Sequence, residues 1–371
     1  MSDFQYPIFE PDLSGNEKQY VEETVKTGWI SSQGEYILKF ENQFALRFDR
    51  KFGVATTNCT SALHLSLVAL GISTGDEVIC PDLTFIAPAN MIELTGAKAI
   101  LIDAEESTWN LDPILVKKAI TKNTKAIIVI NVFGHAAKMD ELQEIADQHQ
   151  LAIIEDNAES PGGFYKQGKL GSFGELSCFS FFANKILTTG EGGMVLTDDE
   201  ELYHRLKELR DHGMSRARKY VHVALGFNYR MTNMQAAVGL AQLERFDEIL
   251  DKRQRQEKKY ESCLSASDQI SFRPRQAWCQ TVHWLMTVRF KKQGIRDLML
   301  EYLSQKGVDS RQMVYPVHFA QHFKTVYAQH NFPISEGISL NSLHLPSSTQ
   351  LSDKGIEQIS TIVLEGLKQY G

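Results

Sequence analysis

Residues 126–132 read Ala126-Ile127-Ile128-Val129-Ile130-Asn131-Val132, and this run decides the class of fold. Its first five side chains are apolar without alternation, so a strand built from them has no face to give to water and must be covered above and below. Runs of the same kind lie outward from it at Val78–Cys80, Ala99–Asp103, Leu151–Asp156, Leu176–Phe181 and Met194–Thr197. Gly, Pro or Asp punctuation sets each one off, and helical stretches at Thr60–Leu70, Pro113–Ile120 and Met139–Gln148 fill the gaps. Asp112-Pro113 and Lys138–Asp140 supply start signals for the last two. Strands alternating with helices predict an α/β domain with a mostly parallel central sheet.

Towards the C-terminus the pattern changes. One long helix is expected from about Asn233 through Asp251–Tyr260, with Leu243, Phe246 and Leu250 on one face. Val282–Phe290 reads as a strand, and Ile295–Gln305 and Asp353–Lys368 read as helices, which together predict a smaller C-terminal α+β domain. The chain has 371 residues, more than the roughly 250–300 at which a single core stops growing. Two units are therefore expected, residues 1–245 and 246–371.

Composition narrows the function. Hydrophobic residues make up 43% and charged residues 23%, an ordinary globular balance. The net charge of −7 disfavours nucleic acid and acidic membrane surfaces as partners. Residues 1–10 lack the basic-then-apolar order of a secretion signal, and no apolar run is long enough to span a bilayer, so a cytoplasmic location is expected. The five cysteines, Cys59, Cys80, Cys178, Cys263 and Cys279, are odd in number and form no CxxC pair. Reduced thiols, rather than a disulfide framework or zinc ribbon, are expected.

Ligands of parallel α/β sheets gather beyond the carboxyl ends of the strands, so the residues there carry the candidate chemistry. Asp156 ends an apolar strand, where its carboxylate can pair with a protonated ring nitrogen, or simply cap a turn. Lys185 follows the aromatic strand and Phe182-Ala183-Asn184. Partial burial there would lower its pKa and favour the free amine that condenses with an aldehyde, although most lysines are surface charges. Asn58-Cys59-Thr60-Ser61-Ala62 opens a helix, a place for a phosphate or for an ordinary cap. Phe85 offers a flat face to a planar ring, or a core contact.

Taken in order, Asn58-Cys59-Thr60-Ser61-Ala62-Leu63, Leu83-Thr84-Phe85, Glu155-Asp156-Asn157-Ala158-Glu159, Gly171-Ser172-Phe173-Gly174, Phe179-Ser180-Phe181-Phe182-Ala183-Asn184-Lys185 and Gly190-Glu191-Gly192-Gly193 resemble the DegT/DnrJ/EryC1/StrS sugar aminotransferases. Gly226-Phe227-Asn228-Tyr229-Arg230-Met231 and Tyr315-Pro316-Val317-His318 extend the likeness over nearly the whole chain.

The resemblance implies a fold-type I, aspartate aminotransferase-like enzyme that uses pyridoxal 5'-phosphate, with pyridoxamine 5'-phosphate as intermediate. It implies a homodimer with shared active sites, L-glutamate as amino donor and a nucleotide sugar as acceptor. Carried over, Lys185 is the Schiff-base lysine and proton shuttle, and Asp156 pairs with the pyridinium. Cys59, Thr60, Ser61 and Ser180 would surround the phosphate, with Asn228 reaching in from the partner subunit. Phe85 would stack on the ring, and Glu159 would sit near its face or its phenolic oxygen. Trp29, Ser31, Glu191, Arg230, Tyr315 and His318 are the implied substrate-side residues, with a structural role also open for His318. The motifs look most like those of members that aminate C4 of GDP-4-keto-6-deoxy-D-mannose; UDP- and dTDP-linked keto sugars stay open. Cys59 stands where the family usually has Gly, and Asn157 and Ser160-Pro161 also depart from its pattern.

Competing readings are weaker. Gly163-Phe164-Tyr165-Lys166-Gln167-Gly168-Lys169 fits the start of a P-loop, but Leu170 stands where Ser or Thr must hold magnesium. His318 and His322 have the spacing of a zinc helix, but Phe319 replaces the metalloprotease glutamate, so no metal site is expected. Sugar dehydratases on the same scaffold typically carry His at the position of Lys185, and a non-catalytic nucleotide-sugar regulator has no use for the lysine.

Overall fold

The computed structural model describes residues 4–371. Seven strands form the central sheet: β1 (Phe52–Thr56), β2 (Glu77–Pro81), β3 (Lys98–Ile102), β4 (Thr124–Ile130), β5 (Ala152–Asp156), β6 (Leu176–Ser180) and β7 (Gly193–Thr197). Their spatial order is β1-β7-β6-β5-β4-β2-β3. Only β7 runs against its neighbours, β1 and β6. All the other pairings are parallel.

The run at 126–130 behaves as its composition requires. Ala126, Ile128 and Ile130 join the apolar cluster on one side of the sheet, while Ile127 and Val129 join the cluster on the other. All five are essentially without solvent contact, and each such Ile or Val side chain contributes about 1.5–3 kcal/mol by leaving water. On β6 the period of two separates roles. Phe179 and Phe181 meet Phe44 edge-on, with ring centroids at 4.9 and 5.1 Å, whereas Ser180 between them is left for the opposite face. Phe44 belongs to the helix Glu35–Arg47, which this aromatic cluster fastens to the sheet.

Two expectations change. The long helix from Asn233 is two helices, Asn233–Glu244 and Phe246–Leu264, parted at Arg245, whose φ of −105° and ψ of 11° leave the helical region. No Gly or Pro marks the break. Arg245 is drawn into ion pairs with Asp12 and Glu248, and Phe246 turns inward against Phe48, 6.1 Å away. The strand expected over Val282–Phe290 is regular only at Met286–Phe290. Residues before it leave the ladder because the Val282 amide donates to the Gly134 carbonyl at 2.9 Å. Strand β1 and the helices Glu17–Thr27, Glu35–Arg47, Ala87–Leu94 and Glu200–Arg210 are additions to the sequence reading. The P-loop-like stretch is a hairpin, with Phe164–Tyr165 paired to Gly168–Lys169.

A second, antiparallel sheet in the order Ile270–Phe272, Met286–Phe290, Ser342–Leu345, Arg311–Gln312 has its own core with the helices Ile295–Gln305 and Asp353–Tyr370. The segment between its strands does not stay with it. Val317, Phe323, Tyr327 and Phe332 pack into the core of the large sheet, and Asp103 accepts hydrogen bonds from the amides of Ile334 and Ser335 at 3.1 and 2.8 Å. No helix among the described residues is long and apolar enough to cross a membrane.

A buried ion network joins the two sheets. Arg273 donates to Glu257 at 2.9 Å and to the Phe133 carbonyl at 2.6 Å. Burial works against the charge of Glu257, but His283, Arg273 and Arg275 hold its carboxyl well below the usual range. A carboxyl depressed in the fold stabilises it above the unfolded-state pKa, about 4.3, and loses that contribution as pH falls through the folded value. Glu257→Gln leaves the buried arginine without its partner and is expected to cost about 3–5 kcal/mol at pH 7, with the gap from the parent narrowing below about pH 4. Urea unfolding at both pH values measures this, and equal stabilities at pH 7 would show the network to be energetically neutral.

Candidate active site

A cavity of about 420 Å³ opens at the carboxyl edge of the central sheet. Parallel strands place their ends there side by side: Asp156 at the end of β5, Ser180 at the end of β6, Asn58–Thr60 just beyond β1, and Thr84 and Phe85 just beyond β2. The floor combines one buried amine with two buried carboxylates. Lys185 Nζ lies 3.9 Å from Glu159 Oε1 and 3.6 Å from the centroid of the Trp284 indole. Burial pushes the lysine below its ordinary pKa, while Glu159 and Asp156 oppose the shift. Asp156 Oδ1 accepts the Ala158 amide at 2.9 Å, and burial lifts its carboxyl to about 6 against that bond and against Lys185. Glu159 is also raised by burial, and its Oε2 accepts the Phe133 amide at 2.7 Å.

Adjacent residues on β5 do different jobs because side chains alternate. Asp156 enters the cavity, whereas Glu155 is fully buried and accepts the amides of Gly171 and Phe173 at 2.9 and 3.1 Å. Two motifs distant in sequence thus meet, and Glu155 shapes the Gly171–Gly174 turn.

The helix Cys59–Ala69 points its N-terminus at the cavity. Asn58 caps it by accepting the Ser61 amide at 2.8 Å. Gly193 on β7 packs against this turn so closely that a Cβ there would stand 2.5 Å from the Asn58 carbonyl carbon; no larger residue fits without moving the turn. Cys59 lines the cavity. Burial, then the charge of Asp156, pushes its thiol pKa well up, which keeps the sulfur protonated.

Of the residues expected at the site, Cys59, Thr60, Phe85, Asp156, Glu159, Ser180, Lys185 and Glu191 line this cavity. Ser61 does not: its amide is taken by Asn58 and its hydroxyl lies 3.0 Å from that of Thr57. His318 is also turned away, because Asp82 binds both its amide (2.9 Å) and its Nδ1 (2.8 Å) and Phe332 stacks on its ring. Its structural role is therefore the one seen. Tyr315 lies outside, with its hydroxyl 3.3 Å from Gln312. Asn228 and Arg230 bond to each other at 2.9 Å away from the cavity, and Arg230 also pairs with Asp211. Trp29 and Ser31 lend their carbonyls to Asn233 at 2.7 Å.

The sequence reading missed Phe133, Trp284, Arg311 and His344, all on the wall. Trp284 donates its indole N–H to the Asn184 carbonyl at 2.8 Å, which orients the ring beneath Lys185. Phe133 holds a left-handed backbone, φ 49° and ψ 32°, a strained state for a bulky residue. The Glu159 carboxylate on its amide, Arg273 on its carbonyl and Trp284 against its ring hold it there.

The model of the DegT/DnrJ/EryC1/StrS aminotransferase family matches residues 11–364. The chain belongs to that family. This family member is 42% identical to a GDP-perosamine synthase of Caulobacter vibrioides and 39% identical to one of Escherichia coli O157:H7, each over 97% of this chain and 98% of the relative. Among solved structures, Spr1654 of Streptococcus pneumoniae superposes in its PMP form with a TM-score of 0.93 at 26% identity, covering 98% of this chain and 100% of that one. Its PLP form gives 0.91 at 28%, covering 97% and 99%. The fold is thus the fold-type I aminotransferase fold, and the enzyme is a pyridoxal-phosphate-dependent aminotransferase. The cavity fits that cofactor: a buried amine for its aldehyde, a buried carboxylate for its ring nitrogen, hydroxyls and a helix N-terminus for its phosphate.

Proposed function

We propose that this aminotransferase moves the amino group of L-glutamate to C4 of a nucleotide-linked 4-keto-6-deoxy sugar, with GDP-4-keto-6-deoxy-D-mannose, giving GDP-perosamine, as the favoured substrate. The observation that carries the reaction type is the single buried amine of Lys185 facing Glu159 and Asp156 in one cavity. The favoured sugar rests on the near full-length likeness to the two GDP-perosamine synthases.

Pyridoxal 5'-phosphate, when bound, supplies an aldehyde that accepts an amine and a ring that draws electrons from the carbon next to nitrogen. The rest falls to the chain. Asp156, as a carboxylate, would hold the ring nitrogen protonated and so keep the ring electron-poor. Thr60, Ser180 and the amides opening the helix at Cys59 would take the phosphate, and the exposed Phe85 would offer its face to the ring. Lys185, whose charge burial disfavours, would carry a proton between donor or acceptor carbon and bulk. Glu159 holds that amine in reach and is itself aimed by the Phe133 amide.

The same reading makes the enzyme a cytoplasmic homodimer with shared sites. Asn228 lies outside its own chain's cavity, a few residues after Tyr220, Val223 and Leu225, which are 84%, 59% and 88% exposed. Such apolar exposure suits a surface covered by a second copy. The units 1–245 and 246–371 belong to this reading too, supported by the helix break at Arg245 and the second core.

The test is a panel of GDP-, UDP- and dTDP-linked 4-keto sugars incubated with L-glutamate and scored by product mass. Amination of the GDP sugar above the others is expected; amination of only a UDP or dTDP sugar would overturn the substrate, and none at all would overturn sugar amination. Mixing Lys185→Ala with Asn228→Ala subunits is expected to restore part of the activity each lacks alone, and no recovery would argue against shared sites.

A further inference from the structure

Lys185 has two duties in turn: to join the cofactor and, once released from it, to stay within reach of the reacting carbon. A lysine carries a compact charge on a long, flexible stem, and on this floor it faces two carboxylates, Asp156 and Glu159. Both favour its charge, as does the neighbouring Cys59, while burial opposes it. A released amine that fell onto Asp156 would occupy the acid meant for the ring nitrogen. Among the described residues Lys185 is paired with Glu159 alone, at 3.9 Å, which is too long for a hydrogen bond. Ion pairing therefore does not by itself account for where the amine sits.

Trp284 accounts for it. Nζ of Lys185 stands 3.6 Å from the centroid of the indole, well inside the reach of about 6 Å for a cation over a ring. The face of an indole is the negative end of its quadrupole, and tryptophan is the strongest aromatic side chain in this role. The same ring holds the chain beneath the amine, since its N–H donates at 2.8 Å to the carbonyl of Asn184, the peptide group that leads into Lys185. One side chain thus grips the lysine at both ends. The platform is itself fixed. The Trp284 carbonyl accepts from the buried guanidinium of Arg253 at 2.8 Å, and the Phe133 ring lies nearly parallel to the indole, at 11° and 6.2 Å. All these partners belong to one chain, so the arrangement does not wait on a second subunit. We infer that Trp284 is a positioning residue for Lys185, its indole face being where the free amine rests between the two half-reactions, clear of Asp156. This rests on the aminotransferase reading and adds to it the residue that keeps the proton carrier in place.

The first arm of the experiment keeps the shape of the site. The full chain is produced with mono- or difluorinated tryptophan, which drains charge from the indole face and leaves its outline and N–H in place. The cofactor-free protein is then treated with limiting acetic anhydride, and acetylation of Lys185 is followed by mass spectrometry. Its rate is expected to rise about 3- to 10-fold from the parent to the difluorinated protein, because a weaker face leaves more of the lysine as free amine. In Trp284→Phe, where only Trp29, Trp109 and Trp278 carry the fluorine, fluorination is expected to change nothing. The second arm uses the cofactor-loaded enzyme. Trp284→Leu is expected to lower kcat about 10- to 30-fold while the KM values of L-glutamate and keto sugar stay as in the parent, and Trp284→Phe, which keeps a weaker face, to recover part of the loss. Lys185 acetylation indifferent to fluorination would overturn the inference even if Trp284→Leu failed to fold. A folded Trp284→Leu enzyme with the parent kcat, or with its loss carried by KM, would overturn it too. A parent protein in which borohydride fixes no cofactor to Lys185 would instead bring down the aminotransferase reading itself.

Discussion

Lys185→Ala is expected to lose at least ~10³-fold in turnover while binding the cofactor without a covalent link, so that borohydride fixes no label to the chain. The reasoning is positional. The ε-amine is the one basic nitrogen on the cavity floor, held 3.9 Å from Glu159 and over the Trp284 ring, and Cys59 cannot replace it because its thiol stays protonated. An alanine leaves neither nucleophile nor proton carrier. A variant that turned over at the parent rate, or one still labelled after borohydride, would place the chemistry on another residue.

Asp156→Asn is expected to move stability and activity in opposite directions. In the cofactor-free protein the carboxyl is buried without a cation bonded to it, and burial raises it to about 6 from about 3.9 in the unfolded chain. An acid whose folded pKa is raised costs nothing below the unfolded value. The cost grows as pH climbs from about 4 to 6 and is complete above that. Asparagine removes it, so the cofactor-free variant should be roughly 2–3 kcal/mol more stable than the parent at pH 7 and no more stable near pH 4. With cofactor bound, the same charge is needed opposite the ring nitrogen, and its loss is expected to lower kcat about 10²–10³-fold. Melting of cofactor-free protein at the two pH values and kcat of the loaded variant test both arms. A variant less stable than the parent at pH 7 would show that Asp156 is satisfied without the cofactor.

These two expectations share a physical origin. A site that binds a charged, planar cofactor keeps charges buried before the cofactor arrives, and such groups weaken the empty fold. Glu155, one residue earlier, shows the contrast. It too is buried and raised to about 6, yet its oxygens are occupied by the Gly171 and Phe173 amides, so it serves structure alone.

The strands were legible in the sequence because burial on both faces is written into consecutive apolar residues, as at 126–130, and such a signal is local. Strand β1 and the break at Arg245 were not, since one gains its burial from β7 and the other from Asp12, both remote in sequence. For the site, the residues that end strands, Asp156 and Ser180, and those in the turn before Lys185 were readable, because a parallel sheet sends all its carboxyl ends to one edge whatever else the chain does.

By itself, then, the order of residues determined the α/β class, the edge at which chemistry collects and the amine and acid that meet there. Only the tertiary structure decided which dispersed side chains turn towards that edge. His318 is claimed by Asp82, and Ser61 by Asn58 and Thr57, while Trp284, Phe133 and Arg311 arrive from segments with no motif of their own. A side chain's direction is set by its nearest hydrogen-bond and packing partners, and those partners lie tens to hundreds of residues away, beyond the reach of any local pattern.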